Sequence, residues 1–145
     1  MKKKELAPFK PLFDLIPTIL ETTNRCVDQD LIEFDHDINR IQIEIETLKE
    51  ILSIIQGKWT LDIMYCIRVL GESHYNDLKE VLSGISSRIL SDRLKFLEKK
   101  KILERILHDT RPVGVSYKLT KYGERLFHLL VPVFIYAVSG GKLKI

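Results

Sequence analysis

Gly84-Ile85-Ser86-Ser87-Arg88-Ile89-Leu90-Ser91-Asp92-Arg93-Leu94-Lys95-Phe96-Leu97-Glu98 is the stretch that decides how this chain folds. Projected at about 100° per residue, Leu90, Leu94 and Leu97 fall together on one helical face. Arg88, Ser91, Asp92, Lys95 and Lys99 fall opposite, so a core contact on the leucine side leaves them only solvent or a ligand. Ser86 is placed to cap this helix, which is predicted to reach about Lys100. Just upstream, Ser83-Gly84 reads as a turn, and Tyr75 to Leu82 as a short helix with Leu78, Val81 and Leu82 inward.

Downstream the period changes. Leu103 to His108 and Val115 to Leu119 read as short strands separated by Thr110-Arg111-Pro112-Val113-Gly114, which predicts a hairpin. Thr120 then caps a final helix carrying Leu126, Leu129, Leu130 and Val133, with a kink expected at Pro132. Upstream, Trp59, Ile63, Ile67 and Leu70 define a helix that closes at Gly71, with Met64 and Cys66 nearby. Before Gly57, Leu31, Phe34, Ile38, Ile41, Ile45, Leu48, Leu52 and Ile55 alternate three and four apart. That heptad stripe predicts one helix from roughly Asp28 to Gln56, with Asp28 and Asp30 at its N-terminus and a seam suited to a second copy of the chain or to its own domain. Residues 9–20 put Phe9, Leu12, Phe13, Ile16 and Leu20 on one face, but Pro8, Pro11 and Pro17 limit the expectation there to short helical pieces.

The fold expected is therefore mainly α with a small β-hairpin wing: a winged helix-turn-helix with an N-terminal helical extension. Residues 1–46 form the extension, read as a dimerisation segment, and 47–145 the DNA-binding domain with a C-terminal dimerisation helix. Helix, helix, short helix, turn, longer helix and hairpin is the order in which such a unit braces its second helix to enter the major groove and lays its wing along the backbone.

That order assigns chemistry to side chains that, taken singly, read as a solvated helix face. Arg88 is the base-reading candidate, because its planar fork matches guanine O6 and N7 together. Ser87 and Ser91 offer less selective hydroxyl bonds to bases or phosphates, and Ser86 joins this set at the helix head. Lys95 and Arg93 suit phosphate. Asp92 either accepts from a cytosine amino group or pairs with a neighbouring cation such as Lys95. Arg111 stands at the hairpin tip, where a wing offers a cation to the minor groove or backbone. His74 and Tyr75, at the start of the bracing helix, serve either as phosphate contacts or as a cap.

Charge is divided along the chain. There are 6 basic and 10 acidic residues in 1–46, 10 and 7 in 47–101, and 7 and 3 in 102–145, within a total of 23 and 20. A basic remainder behind an acidic first third suits a polyanion-binding domain carrying a segment that avoids the polyanion. The Met-Lys-Lys-Lys start is followed by no apolar run, and the stretch from Leu126 to Val138 is too short to span a bilayer, so neither export nor membrane insertion is expected. Cys26 and Cys66 have no paired spacing, which argues against a disulfide framework or zinc knuckle and makes the reducing cytoplasm the expected location.

Other functional classes fit less well. No phosphate-binding glycine loop, nucleophile elbow or metal-ligand pair is present, so no catalytic residue, metal or cofactor is expected. Asp35-His36-Asp37 is a local acid and histidine cluster, but neighbours on a helix diverge and a solvated face is its expected role. A protein-assembly module without sequence-specific DNA binding is the alternative that the heptad stripe keeps open.

From Leu48 to about Ala137 the sequence resembles the HxlR-type winged-helix transcriptional regulators, relatives of the MarR group. Gly57-Lys58-Trp59-Thr60-Leu61 resembles the opening of that family's second helix, Gly84 to Glu98 its recognition helix, and Val115-Ser116-Tyr117-Lys118-Leu119-Thr120-Lys121-Tyr122-Gly123 its wing strand and the start of its last helix. The resemblance implies a homodimer held by terminal helices, two recognition helices in successive major grooves of double-stranded DNA, and control by a chemical signal such as a small-molecule effector. The chain departs from the family in two respects. Family members commonly carry a cysteine, often followed by proline, shortly before the winged-helix domain, whereas Cys26 is followed by Val27 and lies well upstream. The acidic segment 1–46 is also longer than the usual N-terminus.

Overall fold

A computed structural model describes residues 8–34, 37–109 and 114–139, with side chains left aside at 31–34. The elements run α1 (Lys10–Phe34), α2 (Ile38–Ile55), α3 (Thr60–Leu70), β1 (Ser73–His74), α4 (Tyr75–Val81), α5 (Ser87–Lys99), β2 (Leu103–His108), β3 (Gly114–Leu119) and α6 (Lys121–Val138). They group into two compact units, residues 47–127 and residues 1–46 with 128–145. The expected mainly helical, winged architecture is present.

The core of the first unit is built from the predicted stripes. Leu90, Leu94 and Leu97 are buried together with Ile63, Met64, Ile67, Leu78, Ile85, Ile102 and Leu103. Removing a leucine side chain from water contributes about 1.5–3 kcal/mol, so the three on α5 fix which way that helix faces. Leu70 at the end of α3 and Val81 at the end of α4, both expected inward, are instead exposed.

Between α4 and α5 the chain reverses over Leu82–Ser86. Gly84 adopts φ +91°, a left-handed conformation that glycine takes without steric cost. Ile85 plugs the turn into the core. The Ile85 carbonyl accepts from Lys79 Nζ. At the far end of α5, Lys101 N donates to Glu98 O (2.9 Å) and Ile102 N to Leu97 O (2.9 Å). These bonds close the helix with Lys101 at φ 58°, where glycine is the usual residue.

The sheet has three strands rather than a hairpin alone. Its order is β1-β3-β2, all antiparallel, with Ser73 opposite Tyr117 and His74 opposite Ser116. A two-residue strand has no period to read, which is why β1 is invisible in the sequence. The hairpin register pairs Leu103 with Leu119 and His108 with Gly114. Thr120 caps α6 as expected, its Oγ1 accepting from Gly123 N at 3.0 Å and donating to Lys101 O at 2.7 Å. Gly123 is pressed on the Ile102 carbonyl so closely that a methyl group there would overlap it.

The second unit departs from expectation in two ways. α1 runs unbroken through Pro17, although three prolines suggested short pieces. Pro11 lies in the first turn, where a missing amide costs nothing, and the ladder continues past the single bond lost at Pro17. The predicted Asp28–Gln56 helix is divided: Asp28 and Asp30 lie inside α1, and a new helix starts after Asp37. Asp37 Oδ1 accepts from Asn39 N (2.9 Å) and Asp37 O from Ile41 N (3.0 Å), a side-chain cap that begins α2. Asp37, expected on a solvated helix face, is thus a helix start, while Asp35 and His36 lie outside the described residues. Arg40 pairs with Asp30 of α1 and with Glu44 at 2.7 Å one turn on.

Two stability measurements test this packing. Leu94→Ala is expected to lower unfolding free energy by about 2–5 kcal/mol in urea titrations, through lost burial and a cavity under α5. Gly123→Ala is expected to lower it by about 1–3 kcal/mol, because the Ile102 backbone cannot withdraw without disturbing the sheet.

Candidate nucleic-acid interface

Burial of the leucine stripe turns the opposite face of α5 to water. Ser87, Arg88, Asp92, Lys95 and Lys99 are exposed and Ser91 is half-buried. The Arg88 side chain is 92% exposed and meets Asp92 Oδ2 only loosely, at 3.9 Å. An exposed pair one helical turn apart is worth a few tenths of a kcal/mol, so a stronger acceptor can take the guanidinium away. Asp92 therefore stands by Arg88 rather than by the Lys95 considered as its partner.

Ser86 is the N-cap of α5, its Oγ accepting from Ile89 N at 3.2 Å. Arg93 points elsewhere. It is half-buried, its guanidinium carbon lies 5.4 Å from the Phe96 ring centre, and Nη1 rests on Gly57 so closely that any side chain there would collide with it. Arg93 is thus a strut between α5 and the joint ahead of α3. Beside that joint Trp59 takes φ 74° with Lys58 Nζ 5.5 Å over its ring. A second tie joins Lys100 Nζ to Glu50 Oε1 of α2 at 3.3 Å.

Tyr75 and His74 also hold structure together. Tyr75 Oη donates to the Ser87 carbonyl at 2.9 Å, fastening the head of α4 to the head of α5. His74 is the N-cap residue of α4, and its backbone N donates to Asp77 Oδ2 at 2.9 Å. Its ring Nδ1 lies 3.0 Å from the Val115 carbonyl of β3. Both side chains therefore brace the helix-turn-helix against its sheet. Arg111 lies outside the described residues, so the wing is described only up to the His108–Gly114 pair next to its tip.

Sequence reading missed one cluster altogether. Glu72, just ahead of β1, accepts from the fully buried Ser116 hydroxyl of β3. His108 Nε2, at the end of β2, lies 2.8 Å from Ser116 Oγ and 2.9 Å from Glu72 Oε1. The Ser116 hydroxyl, followed by the charge of His108, holds the Glu72 carboxyl below the ordinary carboxylate range. These positions are too far apart in sequence for any local pattern to join them. The trio is no catalytic triad: its serine is sealed from substrate and its carboxylate shares the nitrogen that faces the serine instead of orienting the far side of the ring.

Among the described residues no group of three or more His, Cys, Asp or Glu is placed to hold a metal ion, and no helix is long and apolar enough to cross a membrane. Cys26 is exposed and Cys66 buried, both as free thiols. Burial, followed by the nearby Asp62 charge, pushes the Cys66 thiol up, away from the reactive thiolate.

The chain is similar in sequence and in fold to several transcriptional regulators. YdzF of Bacillus subtilis, described as an uncharacterized HTH-type transcriptional regulator, is 32% identical over 90 residues, covering 62% of this chain and 83% of its own. YtcD of the same organism, described likewise, is 32% identical over 79 residues, 54% of this chain and 62% of its own length. The chain thus spans about three fifths of YtcD. Among solved structures, an Enterococcus faecalis protein placed in the MarR family of transcriptional regulators superposes with a TM-score of 0.62 at 30% identity, over 68% of this chain and 89% of the other. The reduced form of the Bacillus subtilis transcriptional regulator YodB superposes with a TM-score of 0.56 at 26% identity, over 63% and 88%. The HxlR-like helix-turn-helix family model matches residues 54–138, more than half of the chain and all of α3 to α6, and the chain belongs to that family.

Proposed function

We propose that this protein is a cytoplasmic, sequence-specific transcriptional regulator that binds double-stranded DNA as a homodimer, reading a palindromic operator with the helix 86–100 and the wing 103–119. The observation that carries this reading is the α5 face itself. Arg88 stands almost wholly in water opposite three buried leucines, in the first turn of the helix that such a motif inserts in the major groove. Arg88 reads a base edge, Ser87 and Ser91 add hydroxyl contacts, and Lys95 and Arg111 meet phosphate. Arg93, Tyr75, His74 and the Ser86 cap set the angle at which α5 is offered.

Dimerisation is supported by apolar side chains left in water. On α2, Ile38 is 70% exposed, and Ile41, Ile45, Leu48 and Leu52 are also exposed at heptad spacing. On α6, Leu129 is 72% exposed, with Val133 and Phe134 exposed nearby. Joining two recognition helices through such faces multiplies weak half-site contacts into operator affinity. The segment 1–46 serves as the dimerisation extension, with its acidic flanks kept from phosphate.

Two experiments test the proposal. In anisotropy titrations with a duplex selected on the wild-type chain from a random-sequence pool, affinity is expected to fall steeply with salt, and Arg88→Ala to weaken binding by about 1–3 kcal/mol while relaxing preference at one base pair per half-site. Equal loss on every sequence would make Arg88 a phosphate contact, and salt-insensitive or absent binding would favour an assembly module. Replacing Ile38 and Ile45 together by Lys should give a folded monomer by sedimentation and circular dichroism, because these side chains are in water in the single chain. A folded dimer with unchanged DNA affinity would remove α2 from the interface and leave α6 to join the subunits.

A further inference from the structure

We infer that Glu72, acting through Ser116 and His108, is a positioning residue for the wing, and that this tie is strengthened when His108 is protonated. The inference rests on the DNA-binding reading above only for its effect on affinity; the tie itself is a property of the free chain.

The hydrogen-bonding capacity of the three groups sets their roles. Ionised Glu72 can only accept, and the single Ser116 hydroxyl proton is directed at it. His108 Nε2 faces Ser116 Oγ at 2.8 Å and Glu72 Oε1 at 2.9 Å, so it must carry a proton and donate. A neutral ring with its proton on Nε2 satisfies this geometry. An imidazolium satisfies it equally and adds a positive charge beside the carboxylate. Losing the second proton therefore keeps the hydrogen bond but removes the ion pair.

The cluster joins three places that the fold must register. Glu72 precedes β1 and the helix-turn-helix, Ser116 lies in the middle of the central strand, and His108 closes β2 at the last described pair before the wing tip. Burying Ser116 completely with its hydroxyl aimed at Glu72 makes a fixed anchor, and His108 is the half-exposed group that grips it. Other titratable or charged groups near the pair are His74, whose ring centre is 5.6 Å from that of His108, and Lys118, which acts on Glu72. A wing already registered in the free chain leaves less ordering to be done on DNA, so affinity follows the strength of the tie. The ion-pair contribution exists only while the His108 ring carries its second proton, so it is gained as pH falls, and the Glu72 carboxyl, held below the ordinary carboxylate range, remains its anionic partner.

The test uses the full chain, the selected duplex and two conservative variants. Glu72→Gln keeps an acceptor for Ser116 without the charge, and His108→Gln keeps a donor that cannot be protonated. Wild-type affinity is expected to gain about two- to fivefold more than either variant between about pH 8 and about pH 5.5, while all three bind comparably at the higher pH. Without DNA, amide exchange in β2 and β3, corrected for intrinsic rates, should slow at the lower pH in the wild type alone. A Glu72→Gln chain that retains the wild-type pH ratio would mean that phosphate, not Glu72, senses the imidazolium, and the inference fails. It fails too if the variants differ from each other or if wild-type exchange ignores pH. Should the exchange pattern appear in a chain that binds no duplex, the tie stands and the DNA-binding reading falls.

Discussion

Three leucines on one helix set the terms for everything that touches DNA in this reading. With Leu90, Leu94 and Leu97 withdrawn from water, a rotation of α5 by a single residue would expose one of them and drive a charged neighbour inward. The exposed ion pairs described in the unit are each worth far less than that. The turn at Gly84, the Ser86 cap and the Ile85 plug serve to deliver the chain into the position that the leucines demand. Arg93 and Lys100 then limit the tilt of α5, one against Gly57 and the other against Glu50.

The wing is held by weaker means. β2 buries Leu103 at its root but exposes Leu107 near its tip, so apolar anchoring fades toward the distal end. Cross-strand pairs such as Lys118 with Glu104, 3.3 Å apart on the surface, contribute little. Polar contacts to β1 take over where burial ends, which is why a two-residue strand matters. His74 reaches the Val115 carbonyl, and Glu72 gathers Ser116 and His108. Hydrogen-bonded registration of this kind can respond to protonation, whereas an apolar contact cannot.

The unit formed by 1–46 and 128–145 follows a different economy. It buries Ile16 and Ile135, yet leaves Leu15, Ile19, Ile38, Ile43, Leu129 and Val133 in water. Scattered exposed apolar residues are ordinary, but repetition at helical spacing along α2 and α6 is the pattern of faces that gain by being covered.

Much of the first unit was legible in the sequence because its signals are local. The helix 86–100, its cap, the turn at Gly84, the hairpin and the Thr120 cap each follow from spacing or from residues within four positions of one another. The heptad stripe misled where it was read as one helix, since apolar spacing does not register the point at which the Asp37 carboxylate captures Asn39 N and starts a new one. Proline counting misled in α1, because one missing bond at Pro17 does not end a long helix. What the sequence determined by itself is the winged helix-turn-helix and which face of α5 meets water, since a periodic stripe of leucines has one way to leave solvent. The roles of Arg93, Tyr75 and His74 as braces, and the meeting of Glu72 with Ser116 and His108, were decided by tertiary structure alone. Those contacts join residues 12 to 44 positions apart, and such partners are chosen by the packing of whole elements, which no local pattern encodes.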